Sequence, residues 1–134
     1  MEETTREHLA LAQRNQRFAD RLRFADSNAE HSSLGQSPEI LWSVVISFYS
    51  AVHYINAYLW KIDRFAPKTH AERTPRVSQD QELTTIAANY TVLSVWGFQA
   101  RYDPRAHISA DDAQQAIDEL HAIAELVRRE LGDS

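Results

Sequence analysis

The chain has 134 residues, of which 43% are hydrophobic and 25% charged, and its formal net charge is −5. These values are typical of one globular domain, here taken as residues 1–134, and they exclude a disordered chain or one that binds polyanions over its whole surface. With 3 glycines and 4 prolines, the chain has too few turn residues for an all-β fold. It has no cysteine and no visible signal peptide, which predicts a cytoplasmic protein without disulfides or thiolate chemistry.

The first predicted helix covers residues 4–28. One apolar stripe runs along it at helical spacing: Leu11, Phe18, Leu22 and Ala25. The residues that follow, up to Ser37, include Ser32, Ser33 and Gly35 and predict a loop.

The second predicted helix, residues 38–63, contains the longest apolar run of the chain. Ser37 is a suitable N-cap, and Pro38 is tolerated at the first helical position. The run is long enough to cross a bilayer. Polar side chains nevertheless recur through it, and each is costly in lipid: Ser43, Ser47, Ser50, His53 and Asn56. We therefore expect the central helix of a bundle, with no membrane partner, and a further buried face of this helix would be a dimer interface.

Residues 64–78 are predicted to form one long loop, because Pro67 and Pro75 bracket a stretch with no helical stripe. Several basic residues lie there, so His70 and Arg73 are candidate contacts for a nucleic acid or another ligand.

The third predicted helix covers residues 79–103, where apolar residues repeat at helical spacing. Ser78 and Gln81 have the spacing of a capping box at its start. Gly97 lies in its interior, where it either permits a close approach by a bulky neighbour or is simply tolerated, and Pro104 is expected to end or kink the helix.

The last predicted helix covers residues 110–131. It starts after Ser109, carries acidic residues in its first turn and ends before Gly132. Because no segment has a convincing strand pattern, the sequence predicts an all-α fold. The predicted architecture is an up-and-down four-helix bundle, with four to five helices in the whole domain.

The order of several segments resembles the HEPN family of helical bundles. These segments are SFYSAVHYINAYL, KTHAERTPRV, LTTIAANYTVL and ARYD, and the resemblance covers about residues 5–131. It implies dimerisation through the helices that carry the motif, and a prokaryotic defence or toxin–antitoxin setting. The family includes metal-independent endoribonucleases and catalytically silent modules that bind nucleic acid or a partner protein.

The nuclease signature of that family is an Arg followed four to six residues later by a His. Arg101 and His107 have this spacing, but Tyr102 directly after the Arg and Pro104 depart from the usual pattern and resemble the silent branch. The resemblance therefore implies a dimerising module that binds RNA, a nucleotide or a partner protein. The alternative is a metal-independent endoribonuclease with Arg101 and His107 as catalytic residues.

Chemistry supports that alternative independently, because a histidine can move protons near neutral pH and an arginine can stabilise a phosphorane. Arg105 is a further candidate phosphate contact, and Tyr102 could stack on a base. In a purely structural role, Arg101 would instead form a salt bridge with the last helix and pack its stem under Tyr102.

His53 lies among apolar residues of the second helix, where a satisfied core histidine is more common than a ligand-binding one, although a dimer-interface role stays open. No spacing of His, Asp and Glu indicates a metal site, and no glycine-rich phosphate loop indicates a cofactor. A third hypothesis needs no family: an adaptor bundle that is completed by a partner chain.

Overall fold

The computed structural model describes residues 3–24, 37–103 and 105–132. Every regular element in these ranges is helical, which confirms the predicted all-α bundle of four to five helices. The elements are α1 (Glu3–Phe24), α2 (Pro38–Asp63), α3 (His70–Gln79), a short 3₁₀ helix (Leu83–Ile86), α4 (Ala87–Tyr102) and α5 (Ala110–Leu131).

The central element is α2, which packs against α1, α4 and α5. It begins as predicted, because the Ser37 hydroxyl accepts a hydrogen bond from the Ile40 amide at 3.2 Å. This helix is long and apolar enough to cross a membrane, yet 67% of its most apolar window is buried inside the bundle. Such burial is what the central helix of a bundle requires.

Two buried serines of α2 attach it to α1. The hydroxyl of Ser43 donates to the carbonyl of Ala19 at 3.0 Å, and the hydroxyl of Ser50 donates to the carbonyl of Ala12 at 2.6 Å. Since buried hydroxyls are costly without partners, these bonds explain how polar residues are accommodated in the apolar helix.

The prediction of a long loop over residues 64–78 is wrong, because α3 occupies most of it. The hydroxyl of Thr69 accepts from the Glu72 amide at 3.1 Å, and the Glu72 carboxylate accepts from the Lys68 amide at 3.0 Å. These two bonds cap the start of the helix. Pro75 lies inside α3, where it removes one backbone hydrogen-bond donor but does not end the helix.

The predicted start of the third helix at residue 79 is also wrong. Ser78 lies inside α3 and Gln81 lies in a turn, so the two do not form a capping box. Instead, Asp80 Oδ1 accepts from the amides of Glu82 and Leu83, at 2.9 Å each, and this turn leads into the 3₁₀ helix and α4. A carboxylate that bonds its own backbone in this way favours a turn over a continuous helix.

The other helix ends agree with the predictions where they are described. Ser109 and Asp112 form a capping box at the start of α5, and Gly132 closes that helix with a left-handed φ of 75°. Residues 25–28 of the first predicted helix, the loop up to residue 36, and Pro104 lie outside the described residues.

The crossing of α2 and α4 is close at Gly97. A Cβ atom at this position would lie 3.1 Å from both Cβ and Cγ of Phe48. Of the two interpretations of Gly97, a close approach by a bulky neighbour is the one observed, and it brings side chains of both helices to the edge of a common cleft.

Candidate functional site

A cleft of about 720 Å³ opens between α2, the start of α3 and the C-terminal half of α4. We call it the α2–α4 cleft. Its apolar side is formed mainly by Phe48, Tyr49, Val52 and Phe98. This volume and this lining are typical of small-molecule sites, which combine apolar walls with a few polar groups.

The polar side of the cleft is strongly basic. It includes Lys68, His70, Arg73 and Arg101, and Asp103 is the one acidic residue among those that line the cleft in the described part of the chain. Three permanent cations therefore face one carboxylate, although the chain as a whole is acidic.

Arg73 is the most unusual of these residues, because its side chain is only 5% exposed. Its Nε donates to Asn56 Oδ1 at 3.2 Å, its Nη2 to the Pro67 carbonyl at 2.9 Å, and its Nη1 to the Tyr90 hydroxyl at 3.5 Å. All three acceptors are neutral, and no carboxylate within the described ranges pairs with this guanidinium. Buried arginines are normally paired with an anion, so the protein itself leaves this charge uncompensated.

The guanidinium of Arg101 lies among aromatic rings. Its centre is 5.4 Å from the ring centroids of Phe48 and Tyr49 and 5.0 Å from that of Tyr102. Its Nε donates to the Gly97 carbonyl at 3.0 Å, and its Nη1 to the Tyr49 hydroxyl at 2.7 Å. The salt bridge to the last helix, which a structural role predicted, is not found among the residues described. Arg101 is thus held in position by neutral groups.

His70 has both ring nitrogens engaged. Nδ1 lies 2.9 Å from the Tyr90 hydroxyl, and Nε2 lies 3.2 Å from Thr74 Oγ1, whose own hydroxyl donates to the His70 carbonyl at 2.9 Å. Since Thr74 uses its proton on that carbonyl, Nε2 is the donor and Nδ1 accepts from Tyr90. Burial lowers the pKa of His70, and the charges of Arg73 and Arg101 lower it further, which favours this neutral tautomer.

His53 lies outside the α2–α4 cleft. Its Nδ1 is 3.3 Å from Nδ1 of His8 on α1. Burial is the main cause that lowers the pKa of His53 to about 4, followed by the nearby His8 and Arg73. Burial also lowers the pKa of His8. His53 is half-buried and contacts α1, and its role as a core histidine, a ligand contact or a dimer-interface residue stays a prediction.

Three predicted site residues lie at the end of α4 or beyond it. Tyr102 is 63% exposed and lies beside Arg101 and Phe98, at the edge of the cleft. Arg105 is exposed, and its backbone amide bonds to Asp103 Oδ1 at 2.9 Å. His107 is exposed, does not line the cleft and forms no hydrogen bond or ion pair within the described part of the chain.

The structure therefore brings together three of the predicted site residues, Arg101, His70 and Arg73, and does not place His107 or His53 with them. Sequence reasoning missed Tyr90 and Asn56, which orient the basic groups. Neither residue carries a local signal, because each acts through a partner distant in the chain. In the described ranges, no group of three or more His, Asp or Glu residues is placed to hold a metal ion.

Comparison of the chain with protein-family models, with curated proteins and with solved structures finds no match in any of the three. The resemblance to the HEPN family stays a prediction from the sequence.

Proposed function

We propose that this protein is a catalytically silent, HEPN-like dimerising module that binds single-stranded RNA through the α2–α4 cleft, in a prokaryotic defence or toxin–antitoxin setting. The observation that carries the proposal is the buried guanidinium of Arg73, which has only neutral partners and lies in the same cleft as Arg101. A bound phosphate would supply the missing negative charge.

The aromatic side of the cleft supports RNA as the ligand. Tyr49 is 41% exposed and Phe98 is 59% exposed, and both line the cleft that holds the two arginines. Proteins that bind single strands combine aromatic rings, on which bases stack, with cations that contact the backbone phosphates.

The state of the cleft histidine supports binding rather than cleavage. A general base needs a free nitrogen within reach of the proton that it removes. Both nitrogens of His70 are engaged, and His107 lies outside the cleft. Arg101 therefore has no free histidine beside it among the residues that line the cleft.

Exposed apolar side chains support dimerisation. Phe18 of α1 is 43% exposed and Trp42 of α2 is 58% exposed. Together with Leu22 and Ile46 they line an apolar pocket between α1 and α2, outside the α2–α4 cleft. Exposed apolar surface of this kind marks interaction sites, here proposed to be covered by a second copy of the chain.

Binding of a 3′-labelled single-stranded RNA of about ten nucleotides, followed by fluorescence anisotropy in EDTA, tests the proposal. We expect saturable binding that weakens with added salt, and a loss of about tenfold or more in Arg101→Gln. Arg17→Gln is the matched control, because Arg17 is an exposed arginine of α1 that does not line the cleft.

Two results would overturn the proposal. An absence of RNA binding by a correctly folded dimer would direct attention to the adaptor hypothesis and a partner protein. RNA cleavage in EDTA that leaves cyclic phosphate, and that is lost in both Arg101→Ala and His107→Ala, would replace the silent module by the endoribonuclease.

A further inference from the structure

We infer that the α2–α4 cleft recognises a terminal phosphate monoester, such as the phosphate of a nucleoside monophosphate or of an RNA end, in preference to an internal phosphodiester. This inference rests on the proposed function and specifies which part of the RNA enters the cleft.

The charge of the cleft fits a dianion. Arg73 and Arg101 both line it, Lys68 adds a third cation, and Asp103 supplies one negative charge. A phosphate monoester carries about −1.5 to −2 charges at pH 7, whereas an internal phosphodiester carries a single one. The monoester therefore compensates the excess positive charge more completely, and this matters most for a guanidinium that is removed from water.

The unused N–H groups of the two arginines also favour a terminal phosphate. Arg73 uses three of the five N–H groups of a guanidinium on Asn56, Pro67 and Tyr90. Arg101 uses two, on Gly97 and Tyr49. Both side chains keep N–H groups without a protein acceptor in the described part of the chain. A terminal phosphate offers three unsubstituted oxygens to these donors, one more than an internal phosphodiester, whose other two oxygens carry the chain.

The burial of Arg73 limits which phosphate can reach it. With its side chain 5% exposed, the guanidinium can be approached only from the cleft that it lines. An internal phosphodiester is flanked by nucleotides on both sides, so the RNA chain would have to enter the cleft and leave it. A terminal group enters with the chain on one side only, while the terminal base can stack on Tyr49 or Phe98 at the apolar side.

The test compares three RNAs of one sequence, each labelled on the same internal base: with a 5′-phosphate, with a 3′-phosphate and with hydroxyls at both ends. We expect the wild-type protein to bind one phosphorylated RNA at least about tenfold more tightly than the RNA without a terminal phosphate. Unlabelled AMP and inorganic phosphate are added as competitors, and competition by AMP alone identifies the nucleotide, rather than the free anion, as the ligand.

Arg73→Gln should bind all three RNAs with equal affinity, and Arg17→Gln should keep the wild-type preference. Because Arg73 is buried, circular dichroism is used to check that Arg73→Gln is folded. The comparison of the three RNAs on the wild-type protein does not depend on this variant. Equal binding of the three RNAs by the wild-type protein, with Arg101 still required, would overturn this inference and leave the proposed function intact. An absence of binding to any RNA would overturn both.

Discussion

The hydroxyl of Tyr90 lies 2.9 Å from Nδ1 of His70 and joins the first turn of α4 to the first residue of α3. The two rings are also stacked, with centroids 5.6 Å apart. The same hydroxyl accepts from the buried Arg73 guanidinium at 3.5 Å. One phenol therefore sets both the tautomer of the cleft histidine and the position of the buried cation.

Replacing Tyr90 by Phe should lower the free energy of unfolding by about 1–3 kcal/mol, because the isosteric ring leaves partners of a buried hydroxyl unsatisfied. Urea denaturation followed by circular dichroism measures the change. Tyr102→Phe is the matched control, since the Tyr102 side chain is 63% exposed, and it should be close to neutral. An equal effect of the two substitutions would show that the hydroxyl of Tyr90 does not organise the cleft.

Two buried serines of α2 should respond in opposite ways to replacement by alanine. Ser50 Oγ donates to the Ala12 carbonyl at 2.6 Å, whereas Ser47 Oγ is buried without a hydrogen-bond partner in the described part of the chain. We expect Ser50→Ala to lose about 1 kcal/mol of unfolding free energy and Ser47→Ala to be neutral or to gain up to about 1 kcal/mol. Thermal unfolding of the two variants side by side is the measurement, and a loss in Ser47→Ala as large as that in Ser50→Ala would contradict it.

The helices that could be predicted from sequence are those with local start signals and long apolar patterns. Ser37 with Pro38 marks the start of α2, and Ser109 marks that of α5. The sequence does not predict α3, because a proline such as Pro75 usually ends a helix, although Thr69 and Glu72 form a capping signal six and three residues before it. A local cap and tertiary packing outweighed the loss of one backbone hydrogen bond.

The site could be predicted by residue type but not by arrangement. Arg101, His70 and Arg73 were all candidates, yet nothing local indicates that they share one cleft. The burial of Arg73 depends on Asn56 of α2 and on the carbonyl of Pro67, seventeen and six residues away in the chain. Such a network arises only when the helices pack, so single-sequence patterns cannot reveal it.

The burial of His53, next to His8, should make stability depend on pH. The folded-state pKa of His53 is about 4, below the ordinary value of 6.5, so the unfolded chain binds more protons between these values. The contribution of His53 to the free energy of unfolding is therefore fully present above pH 6.5 and is lost as the pH falls towards 4. The loss is about 2 kcal/mol, because the side chain is partly exposed to solvent. The lowered pKa values of His8 and His70 act in the same direction.

Urea denaturation at a series of pH values measures this loss. His53→Phe should have a smaller pH dependence than the wild-type protein over this range, because it removes the group whose pKa differs between the folded and unfolded states. A pH profile of His53→Phe that coincides with that of the wild-type protein would exclude His53 as its source.

The exposed apolar surface around Phe18 and Trp42 predicts a dimer that one charge can disrupt. Trp42 is 58% exposed near the start of α2, and Trp42→Glu should weaken self-association by about tenfold or more, because the carboxylate would be buried unpaired at the interface. Sedimentation equilibrium over a range of protein concentrations gives the dissociation constant. Ile62→Glu is the matched control: Ile62 is 44% exposed on the same helix, but it lies at the opposite end, away from this face. A monomeric wild-type protein, or equal weakening by both substitutions, would mean that this face does not form the dimer interface.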